Sequence, residues 1–316
     1  MSKYRHRLPQ LRNSLFLTDG GLETTLVFQE QVELPCFAAF TLLRTPEGTA
    51  RLRDYFRTYT RIALEHGVGI VLEAPTWRAN PDWAAKLGYD AASLADANRL
   101  GVGLLLEVRA QMETAATPIV VSGNLGPRGD GYRPESRMSE SAARAYHAAQ
   151  IATFAATDAD MLGAFTMNYV EEAVGIALAA RDARMPLALS FTLETDGRLP
   201  SGQSLVEAIE RVDAATDDYP VYYMINCAHP THFEAVLEKS SAWCDRIGGL
   251  RANASTKSHA ELDVMTELDA GDPADLAGRY SRLRVPLRRL NVMGGCCGTD
   301  HRHVAAICQV WAGSAA

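Results

Sequence analysis

Residues Pro186–Leu193 read PLALSFTL, Ser204–Thr216 read SLVEAIERVDAAT, and Val221–Asn226 read VYYMIN. The outer two are short apolar runs. The middle one is longer and carries the mixed face of a helix. Strand, helix, strand is the repeating unit of a wound parallel sheet, and the same rhythm extends in both directions. Toward the N-terminus, strands are expected at Ser14–Thr18, Gly69–Ala74, Pro118–Gly123 and Asp160–Phe165. Helices follow them at about Pro46–His66, Ala91–Thr114, Ser139–Thr157 and Glu171–Ala183, with Ser139 as a suitable N-cap. Toward the C-terminus come a helix at Pro230–Lys239, a strand at Ile247–Asn253 weakened by two glycines, a helix at Pro273–Leu283, a last strand at Leu290–Met293 and a closing helix at His301–Trp311. Eight strands each followed by a helix fit a single (β/α)8 TIM barrel, with residues 1–316 forming one domain. No strand runs into G-x-G-x-x-G, so an open dinucleotide-binding sheet has no positive support.

The chain has 316 residues, 47% of them hydrophobic, which is ample for one barrel-sized core. Its net charge of −7, with no basic patch, argues against nucleic acid as a partner. No apolar run approaches the ~20 residues of a membrane helix. The basic start MSKYRHRLPQLRN lacks the apolar stretch of a secretory signal. The expectation is a cytoplasmic protein, not bound to membranes, that acts on small molecules. The sequence leaves the oligomeric state open, a homo-oligomer included.

Six cysteines, at positions 36, 227, 244, 296, 297 and 308, do not make a disulfide framework in such a chain. Three of them stand where barrel chemistry collects, at the C-terminal ends of strands. Asn226-Cys227 closes strand six and Gly294-Gly295-Cys296-Cys297-Gly298 closes strand eight, on either side of strand seven. The glycines let two neighbouring side chains turn to one ion. Three thiolates leave one of zinc's four tetrahedral positions open, the mark of a catalytic site. A thiol entering that position would be deprotonated, and the negative charge of an all-sulfur shell keeps it nucleophilic toward an electrophilic methyl group. Cys36, Cys244 and Cys308 lack such a setting and are expected to be small buried hydrophobes.

At these motifs the chain resembles the homocysteine S-methyltransferase family, which includes the betaine– and S-methylmethionine–homocysteine methyltransferases. The matching pieces are Asp19-Gly20-Gly21-Leu22-Glu23, Gly123-Asn124, Val170-Glu171-Glu172-Ala173, Ile225-Asn226-Cys227 and Gly294-Gly295-Cys296-Cys297-Gly298-Thr299, and they span nearly the whole chain. The resemblance implies a (β/α)8 barrel, zinc held by Cys227, Cys296 and Cys297, and an acceptor thiol as fourth ligand. It also implies that Asp19 and Gly20 line the amino-acid pocket. Asn253 would be a zinc ligand when no thiol is bound. One departure stands out: the family's strand-four Glu, which holds the homocysteine ammonium, is Phe165 here. Either another carboxylate serves, with Glu73, Asp19 and Glu23 as candidates, or the acceptor is a different thiol.

Other residues carry two readings each. Phe165 is either barrel core or an aromatic face for a sulfonium or ammonium donor. Glu73 is an ammonium anchor or the partner of a nearby Arg such as Arg78. Trp77 walls the donor site or packs a loop. Asn226 orients a ligand or ends a strand. Of the four histidines near the cysteines (His229, His232, His301, His303), His229 is the best placed to line the pocket. The loop NLGPRGDGY after strand three is read as a substrate cover, with Arg128 meeting a carboxylate. The function expected is methyl transfer from a sulfonium or ammonium donor to a zinc-bound thiol, homocysteine giving methionine. The alternatives are another small thiol acceptor or a non-catalytic, redox-sensing metal barrel.

Overall fold

The computed structural model describes residues 1–12, 14–237 and 242–313. Eight parallel strands close in chain order: β1 (Phe16–Leu17), β2 (Gly69–Glu73), β3 (Ile119–Leu125), β4 (Met161–Met167), β5 (Leu187–Thr192), β6 (Tyr222–Asn226), β7 (Ile247–Ala252) and β8 (Val292–Gly295). β8 pairs back onto β1, with Phe16 opposite Val292. This is the expected (β/α)8 barrel. The strands read as continuous apolar runs because both their faces are covered, by helices outside and by packed side chains inside.

Local signals set the helix ends. The Pro46–His66 helix starts at Thr45, whose hydroxyl accepts from Gly48 N–H, and stops at Gly67 in the left-handed region (φ +62°). Ser139 caps the Glu140–Ala155 helix as expected, and Ser204 with Glu207 forms a reciprocal capping box at Leu205–Thr216. The helix expected at Pro230–Lys239 is instead a 3-10 turn, Pro230–His232, and one short helix, Glu234–Leu237, with Lys239 outside the described residues. Phe233 (φ −133°) interrupts the run. Several short helices escaped the periodicity, among them Leu22–Thr24 after β1, Pro81–Lys86 after β2 and His259–Asp263 after β7. Among the described residues no helix is long and apolar enough to cross a membrane.

Inside the barrel, Phe16, Val71, Val120, Met161, Tyr222 and Val292 pack into one apolar cluster. Side chains alternate along a strand, so the residue two positions beyond each of these also points inward, one layer nearer the strand ends. Glu73 follows Val71 in this way on β2, and Ser122 follows Val120 on β3. Arg251 shares its face of β7 with Gly249, which lies opposite Val292. An inward layer of polar residues therefore sits directly on an apolar plug, and it forms the floor of the site.

Candidate metal centre and substrate pocket

Cys227 follows β6, and Cys296 and Cys297 follow β8. Their three Sγ atoms all lie within 4.8 Å of one another. Backbone geometry makes this convergence. Cys227 adopts a left-handed φ of 54°, unusual for a residue with a side chain, and its N–H donates to the Arg251 carbonyl (3.1 Å). Cys296 N–H donates to Ala252 O (2.8 Å), and Thr299 N–H and hydroxyl both return to Cys296 O. Glycine is required ahead of the pair: a Cβ on Gly294 would lie 2.0 Å from Thr18 Oγ1, and one on Gly295 the same distance from Thr299 Oγ1.

The thiols share their protons unequally. Hydrogen bonds from Cys296 and Cys297 hold the Cys227 thiol well below its ordinary pKa. Giving those bonds pushes Cys296 up to about 12 and Cys297 well above the ordinary thiol value. All three ionise together only around a cation, so the donor set fits a divalent metal of the thiophilic kind.

Asn226 braces the cluster. Its Oδ1 accepts from Thr166 N–H (2.9 Å) and Ser190 Oγ (2.6 Å), while Nδ2 donates to Thr166 Oγ1 (2.9 Å) and lies 4.0 Å from Cys296 Sγ. Thr166, β-branched and at φ 65°, is held in a costly conformation by those bonds. Asn226→Ala is therefore expected to lower metal affinity about 10- to 100-fold, as read by chelator competition. Unchanged affinity would show that Asn226 only terminates its strand.

Asn253 donates through Nδ2 to Cys227 O (3.1 Å), and its buried Oδ1 has no hydrogen-bond partner. Two further residues complete the rim. His259 Nε2 donates to Cys227 O (2.6 Å), and Tyr132 stacks on His259 at 4.0 Å with its hydroxyl 4.0 Å from Cys297 Sγ. His259 gives no local signal in the sequence. Tyr132 lies in the loop read as a cover, and that loop is tied down: Asn168 donates to Asp130 O and Gly131 O, and Asn80 to Pro127 O.

The sulfurs open on a cavity of about 420 Å³. Every residue expected to bind substrate lines it: Asp19, Gly20, Glu23, Glu73, Trp77, Phe165, Asn226 and Asn253. Their surroundings differ. Asp19 is ion-paired with Arg251 (2.7 Å) and accepts from Tyr55 Oη (3.0 Å); burial still raises its pKa, against the pull of Arg251. Arg251, not singled out from the sequence, also donates to Gly295 O (3.0 Å) and Gly20 O (3.1 Å), joining the loops after β1 and β8. Burial pushes Glu23 and Glu73 up to about 7.

Phe165 stands at the boundary of core and cavity. It belongs to the inner apolar cluster and also lines the cavity, but the cation over its ring is Arg251, at 5.2 Å. Trp77 likewise walls the cavity while its Nε1 donates to Phe165 O (3.3 Å). Arg78 does not pair with Glu73: it donates to Gly129 O and stacks between Trp77 and Trp83.

Three expectations are corrected. Arg128 meets Asp82 on the surface (2.7 Å), away from the cavity. His229 does not line the cavity; its Nδ1 accepts from Thr231 N–H, and burial lowers its pKa to about 4. Cys36 is exposed, in a left-handed turn (φ 55°) rather than in a core, whereas Cys244 and Cys308 are buried.

The sequence profile of the homocysteine S-methyltransferase family matches residues 16–311. The chain is similar to homocysteine S-methyltransferase 3 of Arabidopsis thaliana, 22% identical across 93% of this chain and 89% of that protein. Its fold is similar to that of the homocysteine methyltransferase MmuM from Escherichia coli. The metallated form superposes with a TM-score of 0.76 at 21% identity, covering 96% of this chain and 99% of that one. The oxidized form gives 0.74 at 22% identity, covering 95% and 97%.

Proposed function

The chain belongs to the homocysteine S-methyltransferase family, and on that premise we propose that it moves a methyl group from a sulfonium or ammonium donor to a small thiol, homocysteine giving methionine. The observation that carries this reading is the cluster of three sulfurs opening on a closed-bottomed cavity. Cys227, Cys296 and Cys297 would hold zinc, which supplies the positive centre on which an incoming thiol loses its proton at neutral pH. An all-sulfur shell suits thiol activation better than hydrolysis, where His and carboxylate ligands predominate.

The remaining work belongs to the chain. Asn226 fixes the position of the loop beside Cys296, and Asn253 and His259 pin the carbonyl of Cys227. Tyr132 and the tied-down loop that carries it cover the sulfurs. The cavity walls exclude water and align donor carbon with acceptor sulfur, an effect that pre-orders two reactants. No side chain is needed as a general base. Six free cysteines suit a reducing compartment, the cytoplasm, and residues 1–316 are read as one functional unit.

The test is a mass-spectrometric screen of the zinc-loaded protein, crossing homocysteine and other small thiols with S-methylmethionine, S-adenosylmethionine and betaine. The expected result is methylated homocysteine with at least one donor. Transfer to no thiol from any donor would overturn the reading.

A further inference from the structure

Among the described residues two guanidinium groups line the cavity, Arg251 and Arg78. Arg251 is committed to the Asp19 carboxylate and to the carbonyls of Gly20 and Gly295. Arg78 is not. It is 9% exposed, and its one hydrogen bond runs from Nη1 to Gly129 O (3.0 Å). Its buried Nε has no hydrogen-bond partner. Asp130 and Glu23 act on its charge from a distance, but no described carboxylate comes within 4.0 Å of it. Asp130 Oδ1 accepts instead from the N–H groups of Tyr132 (2.8 Å) and Arg133 (3.1 Å). Burial works against the Arg78 charge, yet an arginine keeps that charge at any physiological pH. A buried cation without a counter-charge is costly, and an anionic ligand would relieve it.

The setting of Arg78 narrows that ligand. Its guanidinium carbon lies 4.2 Å from the Trp77 ring and 3.9 Å from the Trp83 ring. Indoles flank the plane, so recognition falls to the edge, where the N–H groups form the fork that fits a carboxylate. Carboxylates outnumber guanidiniums in the cavity lining, seven to two. Such a lining repels a multiply charged anion, whereas a zwitterion with one carboxylate brings its own positive centre.

Position says which reactant the carboxylate belongs to. Arg78 follows β2 and is tied to the loop after β3, and in the closed barrel β2 and β3 stand across the mouth from β6 and β7. The three sulfurs follow β6 and β8. Methyl transfer is an in-line displacement: once the acceptor's proton has gone to solvent, its sulfur lone pair forms the new S–C bond. The donor's C–S or C–N bond breaks, and that electron pair returns to the leaving atom as a neutral thioether or tertiary amine. Acceptor sulfur, methyl carbon and leaving atom share a line, so the body of the donor lies on the side facing away from the cysteines, toward Arg78.

Resting on the function proposed above, we propose that Arg78, clamped by Trp77 and Trp83, is the docking site for a carboxylate carried by the methyl donor. Arg78 is then a specificity-determining residue, and onium compounds without a carboxylate are poor donors.

The experiment compares the zinc-loaded wild type with Arg78→Gln, using homocysteine as acceptor and S-methylmethionine or betaine, each against its methyl ester, as donor. The ester keeps the onium and loses the anion. Arg78→Gln should raise the KM for the carboxylate donor about 10- to 100-fold and leave that for the ester within about twofold, so the wild type's preference for the free acid collapses. Arg78→Lys should recover part of the loss, because it restores charge without the fork. Unchanged zinc content and an unchanged Kd for homocysteine certify the fold of each variant. Equal losses for acid and ester would reduce Arg78 to a structural role, and a rise in the homocysteine Kd would give the carboxylate to the acceptor; either overturns the assignment. Calorimetric titration of each donor and ester reads the preference without turnover. If the wild type methylates no thiol, the function has failed; if the donors bind and Arg78→Gln leaves their Kd unchanged, this inference has failed separately.

Discussion

Cys297→Ser is expected to strip the protein of bound zinc and to cut methyl transfer by roughly a thousandfold or more. The remaining pair of sulfurs cannot hold the ion in a closed shell, and the acceptor loses both its activation and its fixed position. A free thiol is only a few per cent ionised at neutral pH. Far-UV circular dichroism should be unchanged, because the thiol is only partly buried at the rim and lies outside the apolar core. Cys227→Ser should behave alike, and Cys36→Ser, on an exposed turn, should change nothing. Metal analysis paired with initial rates checks this; full zinc content in either triad variant would contradict it.

Arg251→Leu is expected to cost about 3–5 kcal/mol of stability, read from the midpoint of urea unfolding. The change leaves Asp19 buried at 3% exposure without its cation. It also removes the donors to Gly20 O and Gly295 O, so the loop bearing Cys296 loses its tie to the loop after β1. Zinc affinity should fall with stability. Arg251→Lys should recover part of the loss, since it restores charge but not the forked donor geometry. A midpoint unchanged by Arg251→Leu would show that Asp19 is carried by Tyr55 alone.

The barrel was legible because most of its strands are apolar runs and most of the main helices have a readable cap or stop. The metal ligands were legible for a related reason: strand ends in a barrel converge, so two cysteine motifs far apart in sequence become neighbours once strands six and eight are placed. Arg251 was not legible. Its strand looked weak because Gly248 and Gly249 lower its propensity, yet those glycines make room, Gly249 against Met224. An arginine inside an apolar run was the available signal. His259 and Tyr132 reach the sulfurs only through long-range packing of two loops, and no local period encodes that. The opposite failure is His229: proximity to Cys227 in sequence suggested the pocket, but the backbone turn after β6 directs the ring into capping a 3-10 helix. Phe165 resisted a single reading because the layer it occupies is both the roof of the core and the floor of the cavity.

The central claim is that three cysteines hold a metal whose remaining position takes a thiol. X-ray absorption at the zinc edge tests it most directly, because the sulfur shell at about 2.3 Å can be counted. The account predicts three sulfur ligands in the zinc-loaded protein and four after homocysteine is added. A shell with fewer than three sulfurs, or one that homocysteine leaves unchanged, would contradict it.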